Sequence, residues 1–316
     1  MKRFFLFALA VLVVGMGTAS AEVAAANKKK VRVSKKIQPA TPAKKYAKST
    51  NVAKSQVAYR PSGLSLNSSA VLVQDQDTGA VLFEKNASAV LPIASITKLM
   101  TAMVVLDAGQ AMNQTLSITD AERDRLRGTS SRLAIGTRLT RSDLLRLALM
   151  SSENRAAAAL LRNYPGGKAA GVAAMNRKAR ALGMTRTQFV EGTGLSGANR
   201  STPQDLARLV RAAARYQTIR AYSTTPEYSV MVGRYRTQYR NTNPLVRNPA
   251  WNIAVTKTGY LNEAGRCLVM QTTVSGKPVV MVLMDSWGTL TRVGDAGRAK
   301  RWLETRARPT QIARQP

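Results

Sequence analysis

Ser95 stands three residues ahead of Lys98 in Pro92-Ile-Ala-Ser-Ile-Thr-Lys-Leu-Met-Thr-Ala102. At the start of a helix that spacing puts a hydroxyl and an amine on one side of the cylinder. Acyl transfer through a serine needs a neighbouring group that takes the hydroxyl proton, and the amine can be that group. Burial would favour the neutral amine, and the positive end of a helix would favour negative charge on the serine oxygen. The spacing alone turns up by chance, and by itself it favours a plainer reading, a helix-start serine and a solvated lysine. The chain contains no histidine. Ser-His-Asp and Cys-His sites are excluded, as is any histidine-based zinc site, so a hydrolase built on this chain must use lysine or a carboxylate as its base. The single cysteine, Cys267, sits in the strand-like run Arg266-Cys-Leu-Val-Met270 and reads as a buried thiol rather than a nucleophile.

The elements that must position these residues can be read along the chain. Ile96, Leu99, Met100, Met103 and Leu106 fill most of the remaining arc of the Ser95 helix, which predicts a largely buried helix with Pro92 just ahead of its start. Upstream, residues 70–84 predict two strands joined by a polar turn ending in Gly79. Residues 110–140 read as polar and irregular, and Thr140-Arg-Ser-Asp143 as a capping box for an apolar helix over 144–150. The turn Ser151-Ser-Glu-Asn-Arg155 follows, then an alanine-rich helix ending near Tyr164 and another over 170–182, stopped by Gly183. The glycine-rich run 189–197 lacks G-K-[ST], so no nucleotide site is expected. Ser201-Thr-Pro-Gln-Asp205 starts one more helix. After a Tyr- and Arg-rich connection come strands over 252–258, 266–274 and 278–285, with Ser275-Gly276 as a turn, and a terminal helix over 298–305. Strands, a block of helices, then strands again is not the alternation of a parallel sheet, and predicts an α+β protein with an antiparallel sheet.

The start of the chain is basic and then apolar, closing on Ala19-Ser20-Ala21, which predicts a signal peptide over 1–21. Residues 22–62 hold eleven Lys or Arg against one acid, Glu22, and few large apolar groups, the composition of a flexible basic tail. The folded domain is expected over 63–316, with a helical subregion at about 107–222. With 48 Lys and Arg against 17 Asp and Glu, the formal net charge is +31, which attracts polyanions. For an exported chain the partners expected are anionic envelope polymers or lipid head groups rather than nucleic acid. A periplasmic location with peripheral membrane association is expected.

Three short pieces then line up in order: Ser95-Ile-Thr-Lys98, Ser152-Glu-Asn154 and Lys257-Thr-Gly259. Together they resemble the S-x-x-K, S-x-N and K-T-G set of penicillin-binding proteins and serine β-lactamases. The phrases Ala94-Ser-Ile-Thr-Lys-Leu-Met-Thr-Ala102 and Thr256-Lys-Thr-Gly-Tyr260 are similar to those of the low-molecular-mass D-alanyl-D-alanine peptidases, and the resemblance runs from about Val71 to Trp302. It implies a β-lactamase/transpeptidase-like fold, a five-stranded antiparallel sheet flanked by helices with an inserted helical region. Ser95 would be the nucleophile, Lys98 its base and Ser152 a proton relay, with Asn154, Lys257, Thr258 and Gly259 binding substrate. The backbone N–H groups of Ser95 and Tyr260 would form the oxyanion hole, and the charge of Lys257 would help keep Lys98 neutral. Peptidoglycan is the implied substrate and β-lactams the implied inhibitors, with no metal and no cofactor.

Within this resemblance, Glu191 and Glu227 lack the E-x-x-L-N context of a deacylating glutamate, and the Ser-Xaa-Val of class D enzymes is absent, so efficient lactam hydrolysis is not expected. Only 29 residues follow Trp287 and the stretch 305–316 is polar, so neither a second β-rich domain nor an amphipathic anchor is expected, and Asn262-Glu-Ala-Gly-Arg-Cys-Leu-Val-Met270 resembles the D-alanyl-D-alanine endopeptidases of the penicillin-binding protein 7/8 kind. The expected activity is cleavage of D-alanyl-diaminopimelate cross-links. D-alanyl-D-alanine carboxypeptidase activity is the alternative, and an inactive wall-polymer-binding protein a more remote one.

Overall fold

Alternation along the strands decides the architecture. In a computed structural model, which describes residues 63–307, strand β1 (Ala70–Asp75) turns Ala70 and Leu72 to one apolar cluster and Val71 and Val73 to another. Strand β2 (Val81–Lys85) pairs with β1, and helices follow: α1 (Thr97–Asp107), α2 (Arg141–Met150), α3 (Asn154–Arg162), α4 (Gly167–Ala181), α5 (Pro203–Ala213) and α6 (Gln217–Ser223). A hairpin of β3 (Glu227–Val232) and β4 (Tyr235–Arg240) leads to three long strands, β5 (Asn252–Leu261), β6 (Gly265–Val274) and β7 (Lys277–Ser286), and to helix α7 (Thr291–Ala307). The main sheet is five-stranded in the order β2-β1-β7-β6-β5, with every pairing antiparallel. This is the expected α+β architecture, a sheet flanked by helices with a helical region inserted between its second and third strands. The segment 1–62, with the expected signal peptide and basic tail, lies outside the described residues, as does 308–316.

Both faces of the sheet are covered. On one, Val280, Val282, Met284 and Val269 join the larger cluster with α1, α2 and α5. On the other, Met281, Leu283, Leu268 and Met270 pack against Ala296 and Ala299 of α7. A strand buried on both sides needs no polar alternation, which is why the 279–284 run of β7 is apolar throughout. Ser275 and Gly276 both take positive φ, 49° and 80°, the two-residue turn whose twist suits a tight hairpin.

The helix starts follow their sequence signals. Thr140 Oγ1 accepts from the Asp143 amide at 3.0 Å to cap α2, and Thr202 caps α5 through the Asp205 amide at 3.1 Å with Pro203 in the first turn. Three expectations are corrected. The irregular 110–140 stretch holds a short ladder between Thr115–Ser117 and Arg138–Thr140. The Tyr- and Arg-rich connection folds into α6 and the β3–β4 hairpin. The terminal helix begins at Thr291, because its inward face is made of small residues such as Ala296 and Ala299 that give little apolar periodicity.

Candidate active site

Ser95 lies in a single 3-10 turn, Ala94–Ile96, that runs straight into α1. Ala94 is held at φ +47°, so the chain bends sharply just before the serine. Two glycines let neighbouring backbone close on that bend. A Cβ at Gly194, itself at φ +80°, would lie 2.0 Å from the Ala94 carbonyl oxygen. A Cβ at Gly259 would lie 3.1 Å from the Ser95 nitrogen and 3.0 Å from the Ala94 Cβ. Glycine at 259 therefore lets edge strand β5 approach the Ser95 amide, the geometry in which amides from the turn and from the strand can serve one oxyanion.

Lys98 is 1% exposed, and its Nζ lies 2.8 Å from Ser95 Oγ, 2.8 Å from Asn154 Oδ1 and 2.5 Å from the Thr193 carbonyl. Burial lowers its pKa to about 8, while the carboxylates of Glu191 and Glu153 pull the other way. Burial thus leads, rather than the charge of Lys257. A neutral amine has two N–H groups for Asn154 and Thr193, and its lone pair is then free for the Ser95 hydroxyl. Lys257 is also 1% exposed and donates to the Thr258 carbonyl at 2.8 Å. It is held well below the ordinary lysine range by burial, then by the charges of Lys98 and Arg292.

Ser152 and Asn154 come from the α2–α3 turn, where Ser152 takes φ +61° and Asn154 opens α3. Ser95, Ser152, Asn154, Thr258, Gly259 and Tyr260 all line one cleft of about 690 Å³. The sequence-predicted residues are therefore brought together, with Lys98 and Lys257 buried behind them.

Other parts of the site had no local signal. Glu191 is a structural anchor: its carboxylate accepts from the amides of Thr193 at 2.6 Å and Gly194 at 2.7 Å, and from Asn199 Nδ2 at 2.8 Å. Asn199 is fully buried and also donates to Thr97 Oγ1 at 3.0 Å, so the glycine-rich loop is tied to the first turn of α1. Glu227 lies on the β3–β4 hairpin, paired with Arg240. Arg292, in the first turn of α7, lines the cleft, donates to the Thr289 carbonyl at 3.0 Å, and has a buried Nε without a partner among the described residues. Thr258 Oγ1 donates to Thr242 Oγ1 at 2.6 Å. Cys267 is buried behind β5 opposite Gly259, and burial pushes its thiol up to about 11, the state of an inert core thiol.

A hydroxyl on a strained turn, a buried amine at 2.8 Å and two converging backbone segments form an acyl-transfer arrangement. The sequence profile of the D-alanyl-D-alanine carboxypeptidase family matches residues 51–288. The chain belongs to that family. Relatives within it include a D-alanyl-D-alanine endopeptidase of Pseudomonas aeruginosa, 53% identical over 242 residues that cover 76% of this chain and 78% of the relative. A D-alanyl-D-alanine endopeptidase of Escherichia coli is 45% identical over 256 residues, 80% of this chain and 83% of the relative. Among solved structures, a penicillin-binding protein of Listeria monocytogenes in its cefotaxime-bound form superposes with a TM-score of 0.67 at 29% identity, covering 76% of this chain and 97% of that one. The family's fold is the β-lactamase-like one expected from the three motifs, and its members are D-alanyl-D-alanine peptidases.

Proposed function

We propose that this protein is a serine D,D-endopeptidase that cuts D-alanyl-diaminopimelate cross-links of peptidoglycan through an acyl-enzyme on Ser95. The observation that carries the reading is the buried Lys98 amine 2.8 Å from Ser95 Oγ, in a chain without histidine. Lys98 takes the Ser95 proton as Oγ bonds to the D-alanyl carbonyl carbon, and the developing oxyanion is held by the Ser95 and Tyr260 amides. The C–N bond then breaks, and Ser152 passes the proton to the departing amine. A water molecule, deprotonated by Lys98, splits the ester and returns Ser95. Asn154 orients the donor amide, while Lys257, Thr258 and Arg292 hold the carboxylate beside the scissile nitrogen.

A β-lactam offers the same carbonyl but keeps its leaving nitrogen tethered, so it arrests the reaction at the acyl-enzyme. The cefotaxime-bound relative supports that reading, and the two endopeptidase relatives support the cross-link as substrate. The signal-like start of the chain and its charge support export to the periplasm, with anionic wall polymers or lipid head groups as further partners. The family description supports a second reading, release of terminal D-alanine by the same steps.

Digestion of purified cross-linked muropeptide dimers, with the products weighed, tests the choice. Monomers are expected; loss of a single alanine instead would make the protein a carboxypeptidase. Labelled penicillin should attach covalently to the wild type and not to Ser95→Ala, and equal labelling of the two would remove Ser95 as nucleophile.

A further inference from the structure

The cleft does not end at Tyr260. A second cavity of about 240 Å³ shares Tyr260, Asn262 and Arg266 with it and continues to Asp285 and Trp287. The Arg266 guanidinium stacks over the Tyr260 ring at 4.5 Å and has no carboxylate within ion-pair distance among the described residues. Asp285 sits at φ +50°, unusual for a residue with a side chain, and its carboxylate accepts no hydrogen bond among the described residues. Gly265 makes room for it, since a Cβ there would meet Asp285 Oδ1 at 2.5 Å. Trp287 is 77% exposed, with its indole open beside the cavity.

Arg266 and Asp285 are thus an anion acceptor and an N–H acceptor that leave each other unpaired, next to a bare aromatic surface. Such a set suits a peptide: a carboxylate for the guanidinium, an amide N–H for the carboxylate, and methylenes for the indole. The positive φ of Asp285 marks a β-bulge where the β6–β7 register shifts, which turns its carboxylate away from the ladder, and the exposed Trp287 belongs to neither core cluster. The cavity adjoins the residues that would hold the carboxylate beside the scissile bond: Arg266 lines both cavities and is near enough to Arg292 to repel its charge, while Asp285 and Trp287 line the second cavity alone. A peptidase that releases one terminal alanine has nothing to put there. A peptidase that cuts a cross-link has a leaving group that continues into another stem.

We propose that this cavity is the leaving-side subsite, taking the diaminopimelyl residue of the acceptor stem. Its far carboxylate meets Arg266, its backbone amide N–H meets Asp285, and its methylene chain lies over Trp287. The assignment rests on the endopeptidase reading above and says which half of the cross-link these residues read. It also sets a preference, for acceptor stems that end at diaminopimelate with a free carboxylate over stems in which that carboxylate is amidated.

The test compares wild type with Arg266→Gln, Asp285→Asn and Trp287→Ala. Three measurements are made on each: cleavage of muropeptide dimers with free or amidated acceptor carboxylate, release of D-alanine from a monomeric pentapeptide, and acylation by benzylpenicillin. Arg266→Gln should lower kcat/KM on the free-carboxylate dimer by about tenfold or more, chiefly through KM, and should lose the preference for free over amidated acceptors. Asp285→Asn and Trp287→Ala should weaken dimer cleavage in the same direction. Acylation by benzylpenicillin, which has no acceptor stem, should stay within about twofold of wild type in Asp285→Asn and Trp287→Ala, whose residues lie outside the main cleft. Unchanged dimer kinetics in all three variants overturn the subsite, and so does an acylation rate that falls in parallel with dimer cleavage in Asp285→Asn and Trp287→Ala. A wild type that releases D-alanine but leaves dimers intact fails differently: it removes the endopeptidase reading itself, and the subsite with it.

Discussion

Lys98 illustrates how one physical fact sets both the chemistry and its cost. Taking the amine out of water lowers its pKa from 10.5 to about 8, which amounts to roughly 3 kcal/mol against the charged form at neutral pH. The sign of the stability effect follows. Between about pH 8 and 10.5 the unfolded chain keeps a proton that the folded chain has shed, so this residue's contribution to stability rises with pH across that window and is at its worst below it. On the mechanism proposed above, burial makes a lone pair on Lys98 available to Ser95 as the pH approaches 8. The second-order rate of acylation by benzylpenicillin should therefore rise about tenfold per pH unit below an inflection near 8 and level off above it. A profile that keeps climbing toward 10.5, or one that is flat, would show that Lys98 is not the base. Glu153 raises the Lys98 pKa, so Glu153→Gln, which keeps the α3 cap, should move the inflection to lower pH. Lys257 obeys the same rule with a different outcome. Burial and the neighbouring charges of Lys98 and Arg292 disfavour its proton in the free protein, and a substrate carboxylate arriving beside it favours the proton again, so binding and protonation are coupled.

The elements matter here through how closely their backbones approach. Edge strand β5 can share an oxyanion with the Ser95 turn only because Gly259 has no side chain. Gly259→Ala would place a Cβ 3.1 Å from the Ser95 nitrogen and the Ile93 carbonyl oxygen, so strand and turn must part by a few tenths of an ångström. The expected result is a fall in the acylation rate of about 10²–10³, as for loss of one oxyanion donor, with a stability loss of only about 1 kcal/mol by thermal denaturation. A variant that acylates at the wild-type rate would show that the strand amide is not part of the hole. Close approaches of this kind explain what could be read from the sequence and what could not. The buried helix of Ser95 and Lys98, the capped starts of α2 and α5, and the long strands β5 to β7 carry strong local patterns, and they were legible. The β3–β4 hairpin was not, because it buries little beyond Val230, Val232 and Tyr239, and the rest of its alternation faces out. The three motifs could be recognised in order, but their convergence depends on Glu191, Asn199 and Gly194, whose partners are distant in the chain. Arg292 was invisible for the same reason: nothing around it in sequence points to a cleft formed by β5 and the α2–α3 turn.

At the scale of the whole molecule the dominant quantity is charge. A formal net charge of +31 is far more than the cleft uses, and eleven of the 48 basic residues fall between 22 and 62, a stretch of sequence that contributes no residue to the candidate site described above. If the wall polymers proposed above as further partners are anionic, a cationic protein would be concentrated on them before any bond is recognised. That attraction should act on where the enzyme resides rather than on how the bond is cut, and the two can be separated. Deleting residues 22–62 should leave kcat/KM on small soluble muropeptide dimers within about twofold of the full chain, since the chemistry stays with the Ser95 cleft. On intact sacculi the same deletion should lower both retention and the rate of cross-link cleavage at low ionic strength. The difference should shrink as salt rises toward about 1 M, where screening reduces the reach of exposed charges to about 3 Å. Co-sedimentation with sacculi across a salt series, run beside the soluble-dimer assay, measures both terms. Equal retention of the two chains at every salt concentration would place the wall affinity in the folded part. A parallel loss on soluble dimers would mean that residues 22–62 support the catalytic site itself.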